Sequence, residues 1–262
     1  MRRSNRIVLS MAFSVFVALW GPRASGREVG VNSCRVLVVA FVGGLGTANF
    51  PPTMARSVLN ELHSVGGSQV CIKQVSIYWP WSATHWVKKR LETDEKQATA
   101  QVQVTMEPKI VAFGYSLGVP HELRFARALK REGIPIELLV AVDSKGFTDG
   151  MIPANVKTAA NYYERRLYPL LYPLYYGKGN LFPEDDRRTN FLGNFLVHAG
   201  HFGIVTVGPM RELMVDTVRE LLARENKCGT GFPDSGGPAE QVTSCGRKEG
   251  HQFSSHSSPL LD

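Results

Sequence analysis

Apolar positions along the chain gather into short runs separated by stretches of helical spacing. Residues 35–42, 110–113 and 136–142 are nearly uninterrupted apolar runs, the pattern of strands covered on both faces. Residues 70–78, 156–163 and 191–197 are looser runs and read as three more strands. Helical spacing falls between them. One helix fits 54–63, bounded by Pro51-Pro52 and Gly66-Gly67, and a polar surface helix fits 84–101. Val119, Leu123, Ala126 and Leu129 share a third helix face that ends at Gly133 and Pro135, and Met210, Leu213, Met214, Val218 and Leu221 share a last one. This alternation predicts an α/β fold: a doubly wound, mostly parallel sheet of about six strands with helices on both faces. Ligands of such sheets bind at the C-terminal ends of the strands. There is no internal repeat.

The two ends of the chain have a different character. Arg2, Arg3 and Arg6 precede an uncharged, largely apolar run at 7–20, and Ala24-Ser25-Gly26 puts small residues where a signal peptidase cuts. That run is shorter than the ~20 residues a membrane-spanning helix needs. Residues 1–26 are therefore expected to be a signal peptide, and the protein secreted or periplasmic. An uncleaved membrane anchor is the alternative. Residues 27–225 hold the periodic sequence and form the predicted domain. Residues 226–262 are Gly, Ser, Pro and polar, and are expected to be a disordered tail.

Charge and cysteine content narrow the function classes. The formal net charge is +7, from 30 Lys+Arg against 23 Asp+Glu. Four of those arginines lie in residues 1–26, so 26 against 23 leaves +3 for the rest. That balance, without a Lys/Arg-rich block, gives no argument for a nucleic-acid partner. Cysteines stand at 34, 71, 228 and 245. Export permits disulfides, and Cys34 with Cys71 then leaves Cys228 with Cys245 in the tail; buried free thiols are the alternative for the first two. No Cys/His cluster has zinc spacing, so no metal site is expected.

One stretch carries chemistry. Gly114-Tyr115-Ser116-Leu117-Gly118 fits G-x-S-x-G between a predicted strand and a predicted helix. That context suits a serine on a tight, strained turn, its hydroxyl clear of the sheet. The flanking glycines remove Cβ atoms that would collide as strand and helix approach. A serine hydroxyl is a weak nucleophile and needs a histidine to take its proton and an acid to orient that histidine. Asp143 at the end of the 136–142 strand, and His198 or His201 after the 191–197 strand, stand in a known chain order for such a triad.

On these residues the chain resembles a compact member of the α/β-hydrolase superfamily, the fold of esterases, lipases and thioesterases. The resemblance spans about residues 35–222 and rests on the 114–118 elbow, the Gly43-Gly44 turn and the late Gly200-His201. It implies Ser116 as nucleophile, His201 as base with His198 as alternative, and Asp143 as acid. Most relatives carry the acid one strand later, and that layout makes Glu164, Asp185 and Asp186 candidates. The plain reading of Asp143 is a cap for the turn 143–146. The oxyanion hole is expected from the N–H groups of Leu117 and of Gly43 or Gly44, where Val42-Gly43 departs from the His-Gly pair of many relatives.

The resulting expectation is an exported serine hydrolase that cleaves a small or lipid-like carboxylic ester, or a thioester, without a metal or organic cofactor. The competing class is an exported binding protein that keeps the fold without turnover. A Tyr/Leu/Pro-rich stretch at 167–176 is a candidate acyl pocket, lid or peripheral membrane contact, against the preferred reading of an irregular segment packed over the sheet.

Overall fold

Strand β1 (Val36–Val42) is built of Val, Leu, Ala and Phe, and all but its last residue are fully buried. A strand with two apolar faces needs cover on both sides, and the rest of the fold supplies it. The computed structural model describes residues 34–43, 52–76, 80–101, 107–145, 148–164 and 179–229. In chain order the further elements are α1 (Pro52–Gly66), β2 (Val70–Ser76), α2 (Trp81–Gln101), β3 (Lys109–Tyr115), α3 (Gly118–Arg131), β4 (Ile136–Val142), β5 (Met151–Ile152), β6 (Val156–Tyr163), β7 (Phe182–Pro183), β8 (Asn190–Leu196), α4 (Gly200–Gly203) and α5 (Gly208–Gly229).

Six strands form one sheet in the order β2-β1-β3-β4-β6-β8, and every neighbouring pair is parallel. The chain steps outward from β1 to β2, then returns past β1 to β3 and continues the other way. The order reverses between β1 and β3, and that reversal opens a crevice at their C-terminal ends. Gly43 and Ser116 lie there.

Side-chain alternation sorts the core into two layers. Val36, Val38, Ala40, Val111, Phe113, Leu138 and Val140 face α1 and α5, where Leu62, Met214 and Val218 meet them. Leu37, Val39, Phe41, Ile110, Ala112, Leu139 and Ala141 face α2 and α3, against Val87, Leu123, Ala126 and Leu129. The α/β architecture expected from periodicity is therefore the observed one. A disulfide joins Cys34, just before β1, to Cys71 in β2, with Cα atoms 5.6 Å apart. Adjacent strands in register bring the two together, since Val36 pairs with Val70 and Leu37 with Cys71.

Three features differ from expectation or go beyond it. Helix α5 continues to Gly229, past the Glu225 boundary, so residues 226–229 belong to the helix rather than to the expected tail. The two-residue strands β5 and β7 pair in a small separate sheet, too short to leave a periodic signal. At Gly193 (φ +134°) the β6–β8 ladder slips by one residue. The signal-peptide expectation, Gly44, the 167–176 stretch and Cys245 lie outside the described residues. Among the described residues, no helix is long and apolar enough to cross a membrane.

Candidate active site

Strand β3 ends at Tyr115, and the chain then turns so sharply that Ser116 takes φ +58°. A left-handed conformation costs a non-glycine residue about 1–2 kcal/mol, so its surroundings must hold it. The Ser116 N–H donates to the Val142 carbonyl at 2.9 Å, and the Ser116 carbonyl accepts from Lys145 N at 3.1 Å and Val119 N at 3.2 Å. Glycines give the turn its room. A Cβ on Gly118 would stand 1.8 Å from the Phe41 carbonyl oxygen of β1, and one on Gly114 2.2 Å from the Glu122 carboxylate of α3. Both glycines of the motif thus have a steric cause in this particular fold.

Asp143 follows β4, the strand beside β3, and sits level with Ser116 because Tyr115 pairs with Val142. It too has a left-handed backbone, φ +45°, and its N–H donates to the Tyr162 carbonyl at 2.7 Å. One carboxylate oxygen contacts His201 Nδ1, and the other lies 3.0 Å from Lys145 Nζ. Burial alone would raise the Asp143 pKa. The hydrogen bond to His201, then the charge and hydrogen bond of Lys145, outweigh burial and hold it below the ordinary carboxylate value. Asp143 is therefore anionic at neutral pH.

His201 enters from the loop after β8, the last strand in the sheet order. Gly200, at φ +68°, turns the chain after β8 and puts His201 in the first turn of α4. Two contacts with Tyr115 fix it there. The Tyr115 hydroxyl donates to the His201 carbonyl at 2.8 Å, and the two rings stack with centroids 5.0 Å apart. The residue immediately before Ser116 thus anchors the histidine loop. With Nδ1 on Asp143, Nε2 is the ring nitrogen turned away from the acid. His198 is exposed on the approach to this loop, and it is His201 that contacts Asp143.

At the crevice floor the Gly43 N–H donates to the Tyr115 carbonyl at 2.9 Å. Gly43 therefore closes the β1–β3 ladder, and its own donor is spent. Its lack of a side chain matters more, since a Cβ would lie 2.4 Å from Leu117 N. The Leu117 N–H stands at the start of α3, where a helix leaves its first donors without intrahelical acceptors. That end of the helix suits developing negative charge.

The alternative acids divide. Asp185 Oδ1 accepts the Arg187 N–H at 2.9 Å in the turn before β8, and Asp186 is exposed on the same turn. Glu164 follows β6 and belongs with the site: one atom each from Asp143, Glu164 and His201, of the kind that can ligate a metal, lie within 4.8 Å of one another. Three contributors went unread in the sequence: Lys145, Glu122, and the anchoring role of Tyr115. Tyr115 occupies the variable position of the motif and Lys145 follows Asp143 by two, so only spatial neighbourhood marks them. Glu122 is fully buried with both carboxylate oxygens unpartnered, and burial pushes its pKa well above 4.5, favouring the neutral acid under the elbow.

No family model and no curated protein matches the chain. Among solved structures, a thioesterase, RedJ, from the prodiginine biosynthetic pathway of Streptomyces coelicolor is similar at 12% identity, over 78% of this chain and 98% of that one, with a TM-score of 0.39. Carboxyl esterase 2 of the fungus Tuber melanosporum is similar at 10% identity, over 73% and 78%, with a TM-score of 0.42. A thermostable esterase of Pseudomonas putida is similar at 11% identity, over 75% and 76%, with a TM-score of 0.39. Likeness at this level decides nothing about chemistry, and the function is argued below from this chain's own geometry.

Proposed function

We propose that this chain, α/β-hydrolase in its sheet order and elbow, is a serine hydrolase that cleaves a carboxylic ester, or a thioester, through an acyl-enzyme. One observation carries the reading: the left-handed Ser116 stands level with Asp143, whose carboxylate holds the histidine that Tyr115 anchors. Strained backbone gathers at functional sites, where neighbouring structure holds it in place.

In this reading Ser116 Oγ attacks the ester carbonyl while His201 Nε2 takes its proton. Asp143, anionic and bound to Nδ1, sets the tautomer and stabilises the imidazolium. Negative charge on the carbonyl oxygen is met by the Leu117 N–H at the start of α3. His201 returns the proton to the leaving alcohol or thiol. Water, activated by the same histidine, then releases the acid.

Export remains part of the proposal. The Cys34–Cys71 disulfide supports it, because such bonds persist in oxidising compartments, and an N-terminus of the mature protein near residue 27 is the expected sequencing result.

The decisive test is labelling by a fluorophosphonate probe. Wild type is expected to label, Ser116→Ala and His201→Ala to lose labelling, and His198→Ala to keep it. Absence of labelling in folded wild type would favour a non-catalytic binding protein.

A further inference from the structure

Three features locate Glu164. It follows directly on β6, whose Tyr162 carbonyl accepts the Asp143 N–H and whose Tyr163 carbonyl accepts the Val197 N–H at 2.8 Å, on the approach to His201. Backbone bonds therefore tie the start of Glu164 both to the acid and to the histidine loop. From the other side, Gly200 turns past it without a side chain: a Cβ there would lie 3.8 Å from Glu164 Oε2. Glu164 itself is partly buried, and one of its carboxylate oxygens lies within 4.8 Å of ligand atoms of Asp143 and His201.

Charge gives this placement a consequence. Asp143 does not face His201 as an isolated anion, because Lys145 Nζ is 3.0 Å from its other oxygen and both side chains are largely shielded, 13% and 3% exposed. An Asp–Lys pair carries no net charge. An imidazolium forming on His201 is then met by a strong local hydrogen bond but a weak net field. Glu164, with an oxygen among the atoms gathered within 4.8 Å, restores a negative charge to the group. Among the described residues, the charged and titratable groups gathered at His201 include Asp143 and Lys145 from the end of β4, Glu164 from the end of β6, and Tyr115 from β3.

We propose that Glu164 is a second positioning carboxylate for His201, sharing with Asp143 the stabilisation of the imidazolium and taking over its orientation when Asp143 is neutralised. The inference rests on the serine-hydrolase reading, deepens it, and makes the site a two-acid device. Glu164 acts through His201 and touches no substrate.

The experiment is a double-mutant cycle on the full chain, with p-nitrophenyl acetate as substrate and thermal melting on every variant. Glu164→Gln is expected to lower kcat by about 3–10-fold with KM unchanged, since it removes an interaction made to the charged histidine. Asp143→Asn is expected to lose about 10–100-fold, less than a triad with one acid loses. The double variant is expected to lose about 10⁴-fold or more, beyond the product of the two single losses. Glu164→Asp, which keeps the charge, is expected to retain more kcat than Glu164→Gln, and this comparison stands even if the double variant does not fold. A double loss equal to that product, or equal kcat in Glu164→Asp and Glu164→Gln, overturns the proposal. Ser116→Ala distinguishes the deeper failure: turnover that survives it sinks the serine-hydrolase reading itself, whereas turnover that vanishes with it leaves only Glu164 at issue.

Discussion

A methyl group on Gly43 would stand 2.4 Å from the Leu117 nitrogen and 2.9 Å from that of Gly118, both backbone atoms that no rotamer change can move aside. Gly43→Ala must therefore push the β1 turn away from the elbow. Activity is expected to fall by about 10²-fold or more, the scale of losing one oxyanion donor, and ester kinetics read it directly. Glu122 calls for a different measurement. Its carboxyl titrates near 4.5 when unfolded and well above that when buried. Between those values the unfolded chain binds fewer protons than the folded one, so this residue's contribution to stability falls as pH rises. Glu122→Gln has nearly the shape of the neutral acid and does not ionise. Urea unfolding at a series of pH values is expected to show the variant gaining on wild type as pH climbs from 4.5; a constant difference would refute a neutral buried acid. Asp143 has the opposite sign: its lowered pKa contributes stability that is lost as pH falls through the folded value, below 3.8.

Single elements carry their own consequences. The Cys34–Cys71 bridge, whose ends are 37 residues apart in sequence, ties the start of β1 to β2, which among the described residues is an edge strand. Closing a loop of that length restricts the unfolded chain, so Cys71→Ser is expected to cost about 2–4 kcal/mol in urea unfolding of the oxidised protein. Strands and helices with apolar faces were legible from periodicity, with boundaries a few residues off, as where α5 continues past Glu225. The pair β5 and β7 was not legible, because two-residue strands arise from the chain's path around α3 rather than from their own composition. Lys130 Nζ to Glu184, at 2.6 Å, is part of what holds that region to the helix.

At the scale of the whole molecule, the sheet separates two cores, and β4 serves both. Leu138 faces α1 and α5 while Leu139 faces α2 and α3, each fully buried. Leu138→Ala and Leu139→Ala are each expected to cost about 2–5 kcal/mol, and calorimetry should show the whole unfolding transition shift rather than a separate early one. The pattern of apolar residues was enough to specify a parallel, doubly wound sheet, because strand and helix periods differ and each buried face demands a partner. The elbow motif, read between a strand signal and a helix signal, was enough to place a strained serine at a strand end, because strand and helix approach there too closely for Cβ atoms at 114 and 118. Which acid meets which histidine was decided by tertiary structure alone. Ser116, Asp143, Glu164 and His201 are far apart in sequence and come together because neighbouring strands β3, β4 and β6 end at one level, and Tyr115 anchors the loop after β8. Contacts between strand ends depend on register, to which local periodicity is blind. For the same reason Lys145 beside Asp143, and the spent N–H of Gly43, became visible only in the fold.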